Sequence, residues 1–419
     1  MGAWSVIGLL IALICLGVPV GFAIMVTAGL LMWIEGVNLL VLPVQMFSGT
    51  NNLVLLAIPL FILMGELMGA TSISQRLIAL ASALVGWIRG GLSHVNVVTS
   101  MFMAEMSGSA VADAAVMSKI FVPEMARKGY PRSFAAAITA ASATLGIIIP
   151  PSIPMVLYGV TTNTSIKDLF LAGIGPGLVL GGAFMVTAYL FARREEHPRD
   201  VSFSGRELLR ASGRAFVPLL IPVLVVGGLI SGEFTATEAS AIGVAVALLF
   251  GFVLSNDLTV PRLYDLVIVT ARQTATVMMI IAGSAVLGQF LANEQLPQEI
   301  AGALGDVSNT FWVQMLLINL FLLVLGMFLH ASAAIIVVVP LLLPLAARMG
   351  IDPVHFGVIV CLNLGIGQQT PPVASVLLTV CSATGLRIEE VMRYGKWFIA
   401  TMFVVLMIVS FVPVISLWS

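Results

Sequence analysis

The chain has 419 residues, of which 59% are hydrophobic and 9% charged, with a formal net charge of −1. Soluble domains carry roughly 25% charged residues, so a soluble globule is excluded. Near-neutrality also excludes nucleic acid or a polybasic lipid-binding surface as the basis of function.

At about 20 apolar residues per spanning helix, the apolar runs provide on the order of ten to twelve membrane-embedded segments. The fold class is therefore an all-α polytopic membrane protein embedded in a lipid bilayer. The N-terminal Met1-Gly2-Ala3-Trp4 has no basic region or clear cleavage site. It reads as the start of a first membrane helix rather than a signal peptide. Trp4–Trp33 is either one long helix or two short ones broken at Gly17-Val18-Pro19, and Leu77–Ile88 either spans or lies along the interface. Val95–Ser107 and Ala110–Glu124 are each short for a span, and Ser107-Gly108-Ser109 divides them. They predict a re-entrant helical hairpin over about 95–125.

Beyond the basic turn Arg127–Arg132 comes an apolar run interrupted by Pro150-Pro151. A proline removes a backbone donor and clashes with the preceding turn, and two in a row stop a helix. The freed backbone groups are tolerable in a bilayer only where protein buries them or they line a hydrated cavity. The pattern predicts a broken helix over about 135–163. A linker over 193–214 carries six arginines. After it, Phe216–Ile230, Thr235–Leu254 and Leu263–Leu291 read as spans. Val313–Leu329 and Ala331–Leu345, divided at His330, predict a second hairpin over about 313–346. Pro371-Pro372 predicts a second broken helix over about 355–385. Cys15, Cys361 and Cys381 all lie in apolar runs without a Cys-x-x-Cys pair and read as small buried hydrophobes.

The second half repeats the first. A shift of 221 residues superposes the two Pro-Pro sites and pairs Pro123 with Pro344, Arg127 with Arg348, Gly129 with Gly350 and Gly146 with Gly367. Pro123 to Pro151 gives eight identities in 29 positions, against a chance level of roughly 1 in 12, so the chain is an internal duplication. Its halves are 1–192 and 215–419. Charge orients them. Arg127–Arg132 has three basic residues and its counterpart Arg348–Pro353 one; Ser165–Gly175 has only Lys167, whereas Leu386–Lys396 has three. By the positive-inside rule, equivalent loops lie on opposite faces, with the linker cytoplasmic and the C-terminus outside. That is an inverted repeat, which belongs to secondary transporters, and their ligands bind at broken helices.

Ser107-Gly108-Ser109-Ala110-Val111-Ala112-Asp113, Ile149-Pro150-Pro151-Ser152-Ile153-Pro154 with Tyr158-Gly159, and Gly232-Glu233-Phe234-Thr235-Ala236-Thr237-Glu238-Ala239 carry a resemblance across essentially the whole chain. The sequence resembles the large membrane subunit of the tripartite ATP-independent periplasmic (TRAP) transporters of bacteria and archaea. The resemblance implies the cytoplasmic (inner) membrane and sodium-coupled uptake of a small organic acid anion, such as a dicarboxylate or sialic acid. It implies as partners a periplasmic substrate-binding protein and a small four-helix membrane subunit. It further implies an elevator-type transporter, in which hairpins and broken helices move as one body past a scaffold. Two positions depart from the family pattern: His330 stands where an acidic residue is usual, and Ala374 follows Pro371-Pro372-Val373 where glycine is usual.

The chemistry expected at the breaks follows from the residues. Sodium, the coupling ion, is a hard cation and takes oxygens, which unwound carbonyls and helix C-terminal ends supply without fixed charge. The ligand candidates are Gly146, Ile149 and Ser152 with Ser107 and Gly108 in the first half, and Gly367, Thr370 and Val373 with Gly326 and Ser332 in the second. A carboxylate substrate prefers helix N-terminal ends, near which stand Ser109, Ser152, Asn163, His330, Asn363 and Thr370. Asp113 sits among alanine and valine, where a carboxylate costs ~2.5–3.5 kcal/mol, and reads as functional or as a partner of Lys119. Glu66 and Arg272 lie inside apolar runs with nothing to align them to a site. No cofactor is expected beyond sodium ions. A second reading is a self-sufficient anion symporter, proton-coupled through Asp113 and His330. An intramembrane enzyme is disfavoured, because neither a nucleophile–base set nor metal-ligand spacing occurs.

Overall fold

A computed structural model describes residues 3–199, 202–293 and 310–418. Every regular element among them is helical. Nine of these helices are long and apolar enough to cross a membrane, and four shorter apolar helices lie beside them. The first apolar run is two helices, Ala3–Cys15 and Val20–Ile34, parted where Gly17 takes a left-handed φ of 85° and Pro19 starts the second. Ile73–Val85 has 13 residues, about 20 Å of helix and short of a ~30 Å hydrocarbon core. The three spans expected after the linker are Gly205–Ser231, Ala236–Leu254 and Val260–Leu291. Between the first two, Gly232 closes one helix with a left-handed φ of 79°. Thr235 and Glu238 then form a reciprocal capping box on the next, which satisfies two orphan donors of its first turn.

Helix bounds match between the two halves at several places. Ala110–Arg127 and Ala331–Arg348 each have 18 residues, and their starts keep the 221-residue offset of the sequence. Preceding them, Gly91–Ser107 and Phe311–Phe328 complete two helical pairs. Arg132–Ala143 and Leu145–Ile148 lead into the first break, with Ile153–Thr162 beyond it. Pro353–Gly367 leads into the second, with Ser375–Thr384 beyond. The two broken helices run antiparallel. At one end Arg132 donates to the Thr384 carbonyl at 2.9 Å; at the other the Tyr158 hydroxyl donates to the Pro353 carbonyl at 2.7 Å. Glycine permits the approach, since a Cβ at Gly357 would come within 2.7 Å of the Tyr158 ring.

Burial separates an inner from an outer layer. The apolar window of Arg132–Thr162 is 94% buried, that of Gly205–Ser231 28%, so the first broken helix faces protein and the other faces outward. The outer elements pack on one another across the two halves. A Cβ at Gly21 would lie 2.9 Å from Met279 Cγ, and Thr237 donates to the Leu53 carbonyl at 3.3 Å. Asp257, in the turn between Leu254 and Val260, accepts from the Ser72 N–H at 2.7 Å. Burial pushes its carboxyl up, but hydrogen bonds from Ser255 and Ser72 outweigh that and hold it below the usual aspartate range. A buried network joins the first hairpin arm to the first broken helix. Asn96 donates to Thr139 at 2.6 Å, Ser142 to Asn96 at 3.2 Å and Ser100 to Ser142 at 3.0 Å.

Candidate functional site

The first break is closed by a side chain. The Ser152 hydroxyl donates to the Ile147 carbonyl at 2.5 Å and accepts from the Met155 N–H at 3.4 Å. It thus serves a carbonyl whose helical donor would be Pro151, and it caps the helix that follows. The Gly146 carbonyl would look to residue 150, a proline with no N–H to offer. The hairpin tip lies against this break: Gly108 has a left-handed φ of 55°, and a Cβ there would stand 3.1 Å from Ile153 N and 3.2 Å from the Pro151 carbonyl oxygen. Asp113, one turn into the second arm, is 3% exposed. Its Oδ2 would be 2.6 Å from a Cβ on Gly146, so the carboxylate rests on the glycine of the break. Lys119 stands exposed on the same helix, away from the buried face that carries Asp113.

Backbone closes the second break instead. Thr370 N–H donates to the Gly367 carbonyl at 2.9 Å and Val376 N–H to the Gln368 carbonyl at 3.1 Å. Gln369 donates its side-chain amide to the Ala140 carbonyl of the first broken helix. The second hairpin leans on this break at a glycine pair, where a Cβ on Gly367 would fall 2.5 Å from Gly326 Cα. Ala374 N–H also reaches the Met327 carbonyl at 3.3 Å.

Both tips open on one cavity of about 820 Å³. Gly108 and Ser109 line it from the first hairpin, His330 and Ser332 from the second, and Gln273 and Thr276 from Val260–Asn293. Three helices present their N-terminal ends here, starting at Ala110, Ala331 and Ile153. The first-turn N–H groups that the Ser109 and Ser152 caps do not take, and the positive dipole ends, suit an anion. A second cavity of about 220 Å³ shares Ser109, Ala112 and Gln273 with the first and is lined by Glu66, Asp113 and Arg262. Asp113 therefore faces the smaller cavity and the first break rather than the larger cavity. Among the described residues no three His, Cys, Asp or Glu side chains gather as a metal site, so any cation held here relies mainly on carbonyls and hydroxyls.

Other expected residues fall elsewhere. Asn163 is the left-handed C-cap of Ile153–Thr162, φ 54°, about 15 Å beyond the break. It closes the C-terminal end of that half-helix, two residues before Ser165 caps the start of Ile166–Arg194. Asn363 is fully buried, donating to the Asn319 carbonyl and Oδ1 at 2.9 Å each, and so holds Phe311–Phe328 and Pro353–Gly367 together. Thr370 and Val373 lie at the second break, where Val373 is exposed and the Thr370 hydroxyl donates to the Ile366 carbonyl at 2.9 Å. Ile149 is buried against Gly177. Cys361 and Cys381 are buried free thiols. The side chains of Cys15 and Ser107 lie outside the described residues. Gln273 and Thr276 were not singled out from the sequence, although their i, i+3 spacing in an apolar run puts two polar groups on one helix face.

A family model described as the tripartite ATP-independent periplasmic transporter, DctM component, matches residues 7–415. The sialic acid TRAP transporter large permease protein of Vibrio cholerae is 40% identical over 412 residues, 98% of this chain and 96% of that one. A C4-dicarboxylate TRAP large permease of Pseudomonas aeruginosa is 37% identical over 90% of this chain and 88% of its own length. The 2,3-diketo-L-gulonate TRAP large permease of Escherichia coli is 33% identical, with 97% and 96% covered. Among solved structures, the crystal structure of the Alcanivorax borkumensis YdaH transporter matches with a TM-score of 0.60 at 16% identity. It covers 90% of this chain and 86% of that one, a likeness of fold alone.

Proposed function

This chain belongs to the DctM-component family of tripartite ATP-independent periplasmic transporters, and from that premise we propose sodium-coupled uptake of a small organic acid anion delivered by a periplasmic binding protein. A chain of this family is a multi-pass permease of the bacterial inner membrane and not an enzyme. A tripartite system supplies two partners, the binding protein and a small membrane subunit. The relatives named above handle sialic acid, C4-dicarboxylates and diketogulonate, all organic anions. The observation that carries the reading is the cavity of about 820 Å³ on which both hairpin tips and three helix N-terminal ends converge.

The finer architecture is two inverted repeats moving as an elevator. The antiparallel course of the broken helices supports inversion. Tips that touch breaks sit at the depth of the breaks, which supports re-entrant hairpins. The cavities lie between those hairpins and outer helices, and a loosely filled seam is where one body slides past another. For the ion, the first break offers Gly108, Gly146, Ile149 and Ser152 with Asp113 alongside. The second offers Gly326, Ser332, Gly367, Thr370 and Val373. Both sets are oxygen donors of the kind a hard cation takes.

Proteoliposomes holding both membrane subunits, with the binding protein added outside, test the coupling. Uptake requiring an inward sodium gradient is expected. Equal uptake from a proton gradient in sodium-free buffer overturns the sodium assignment and favours coupling through Asp113 and His330. Uptake without binding protein favours the self-sufficient symporter. Topology is tested by Lys128→Cys and Met349→Cys, each in a cysteine-free background. The two sites are expected to label from opposite faces with an impermeant thiol reagent; labelling from one face rejects the inverted repeat.

A further inference from the structure

The two walls of the large cavity are opposite in hydrogen-bonding sense, and this bears on which anion fits. On the hairpin side the helix N-terminal ends at Ala110, Ile153 and Ala331 offer N–H donors. Across from them, Val260–Asn293 contributes Gln273 and Thr276. Gln273 Nε2 donates to Glu66 Oε1 at 2.8 Å. A carboxylate accepts only, so the amide turns its nitrogen to Glu66, which takes one of the two N–H groups and leaves the carbonyl oxygen as the acceptor Gln273 has to offer. Thr276 spends its hydroxyl proton on the Arg272 carbonyl at 3.1 Å, which leaves that oxygen an acceptor too. Glu66 itself lies behind Gln273 in the smaller cavity, and no arginine or lysine is among the described residues lining the larger one.

The geometry points to a hydroxylated monocarboxylate as the substrate: its carboxylate at the hairpin N-terminal ends, its hydroxyls donating to Gln273 Oε1 and Thr276 Oγ1, with Glu66 as the positioning residue that fixes the amide. A dicarboxylate would bring its second charge against two acceptors, with Glu66 behind Gln273 and Arg262 on the smaller cavity rather than on this wall. An unsubstituted fatty acid would leave both acceptors without donors, and sites built to hydrogen-bond a substrate group discriminate strongly against analogues lacking it. The inference rests on the anion-uptake reading and names its chemical class.

Three six-carbon acids separate the outcomes: D-gluconate, hexanoate and adipate, titrated against the purified two-subunit membrane complex with thermal stabilisation as readout. Gluconate is expected to bind about tenfold or more tighter than either of the others. Gln273→Met should weaken gluconate about tenfold and leave hexanoate unchanged. Thr276→Val probes the same wall should the first variant fold poorly. Glu66→Gln frees the amide to turn, and should weaken gluconate by a smaller factor while improving adipate. A merely structural role would move all three acids together. Adipate or hexanoate matching gluconate, variants that leave the gluconate-to-hexanoate ratio unchanged, or no stabilisation by any of the three overturns the inference. A gluconate preference that persists without sodium dependence would break the coupling reading and leave this one standing.

Discussion

The two breaks hold the same glycine and proline positions and are built differently around them. Between Ile148 and Ile153 the chain needs four residues, all buried, and a serine hydroxyl closes the gap. Between Gly367 and Ser375 it needs seven, of which Pro371, Pro372 and Val373 are exposed. There backbone N–H groups and borrowed contacts from Met327 and Ala140 do the closing. Among the described residues a carboxylate accompanies the first break and none the second: Asp113 corresponds to Ala334 at the 221-residue offset. Glycine and proline set where a helix can stop and how closely another backbone can approach, so both copies need them. Satisfying the freed polar groups has many solutions, and the copies use different ones. The first break is a small, enclosed site with a charge beside it; the second is longer, open and neutral.

The widest expected gap between the two comes from filling their glycines. At Gly367 a Cβ meets backbone, 2.5 Å from Gly326 Cα, and backbone in a packed pair cannot step aside. Gly367→Ala should cost ~1–3 kcal/mol or more by overpacking, seen as a lower unfolding temperature and poor yield. At Gly146 the nearest atom is the Asp113 carboxylate, 2.6 Å away, a side chain able to swing. Gly146→Ala should therefore cost less stability and show mainly as lost transport. Equal stability losses would mean that the two contacts are alike in kind.

Charge gives the next largest contrast. Asp113→Asn keeps size and removes the carboxylate, and losing a charged ligand costs about 1.5–3 kcal/mol. The sodium concentration for half-maximal uptake should rise roughly 10- to 150-fold, since each 1.4 kcal/mol is a factor of ten. Lys119→Gln, exposed on the same helix, should leave it unchanged. An unaltered sodium requirement in Asp113→Asn would remove the carboxylate from the ion site and make the two breaks electrostatic equals.

Backbone constraints were the legible part of the fold and site. Pro-Pro pairs, glycine tips, the 221-residue offset and the spans after the linker all follow from residue types whose conformational demands are local. Partnerships across distance were not legible. Gln273 reads as an isolated amide in an apolar run until the fold brings Glu66, 207 positions away, within 2.8 Å. The Asn96, Thr139 and Ser142 network is hidden for the same reason. Asn163 ends a helix in the left-handed conformation, a backbone role that its place in the sequence does not disclose. The Gly232 to Glu238 motif, part of the resemblance, is a C-cap followed by a capping box.

The finest test sets one hydroxyl against its apolar counterpart. Thr370 aligns with Ile149, each directly before a Pro-Pro pair. The Thr370 hydroxyl gives its proton to the Ile366 carbonyl at 2.9 Å, so its lone pairs remain to meet a cation. That carbonyl also accepts from the Gln369 N–H at 3.0 Å and stays satisfied in Thr370→Val. The variant should therefore fold normally, and any loss belongs to the ligand. One neutral oxygen is worth about 1–3 kcal/mol, or roughly 5- to 150-fold in sodium affinity. Ile149→Val removes one methylene from a side chain packed on Gly177, costing about 0.5–1.5 kcal/mol of stability. It takes away no oxygen, so the half-saturating sodium concentration should not move. A shift in Thr370→Val alone would show the open second break leaning on a side chain that the enclosed first break does without. A silent Thr370→Val would leave the second break dependent on carbonyls, with Asp113 the charge that sets the first apart.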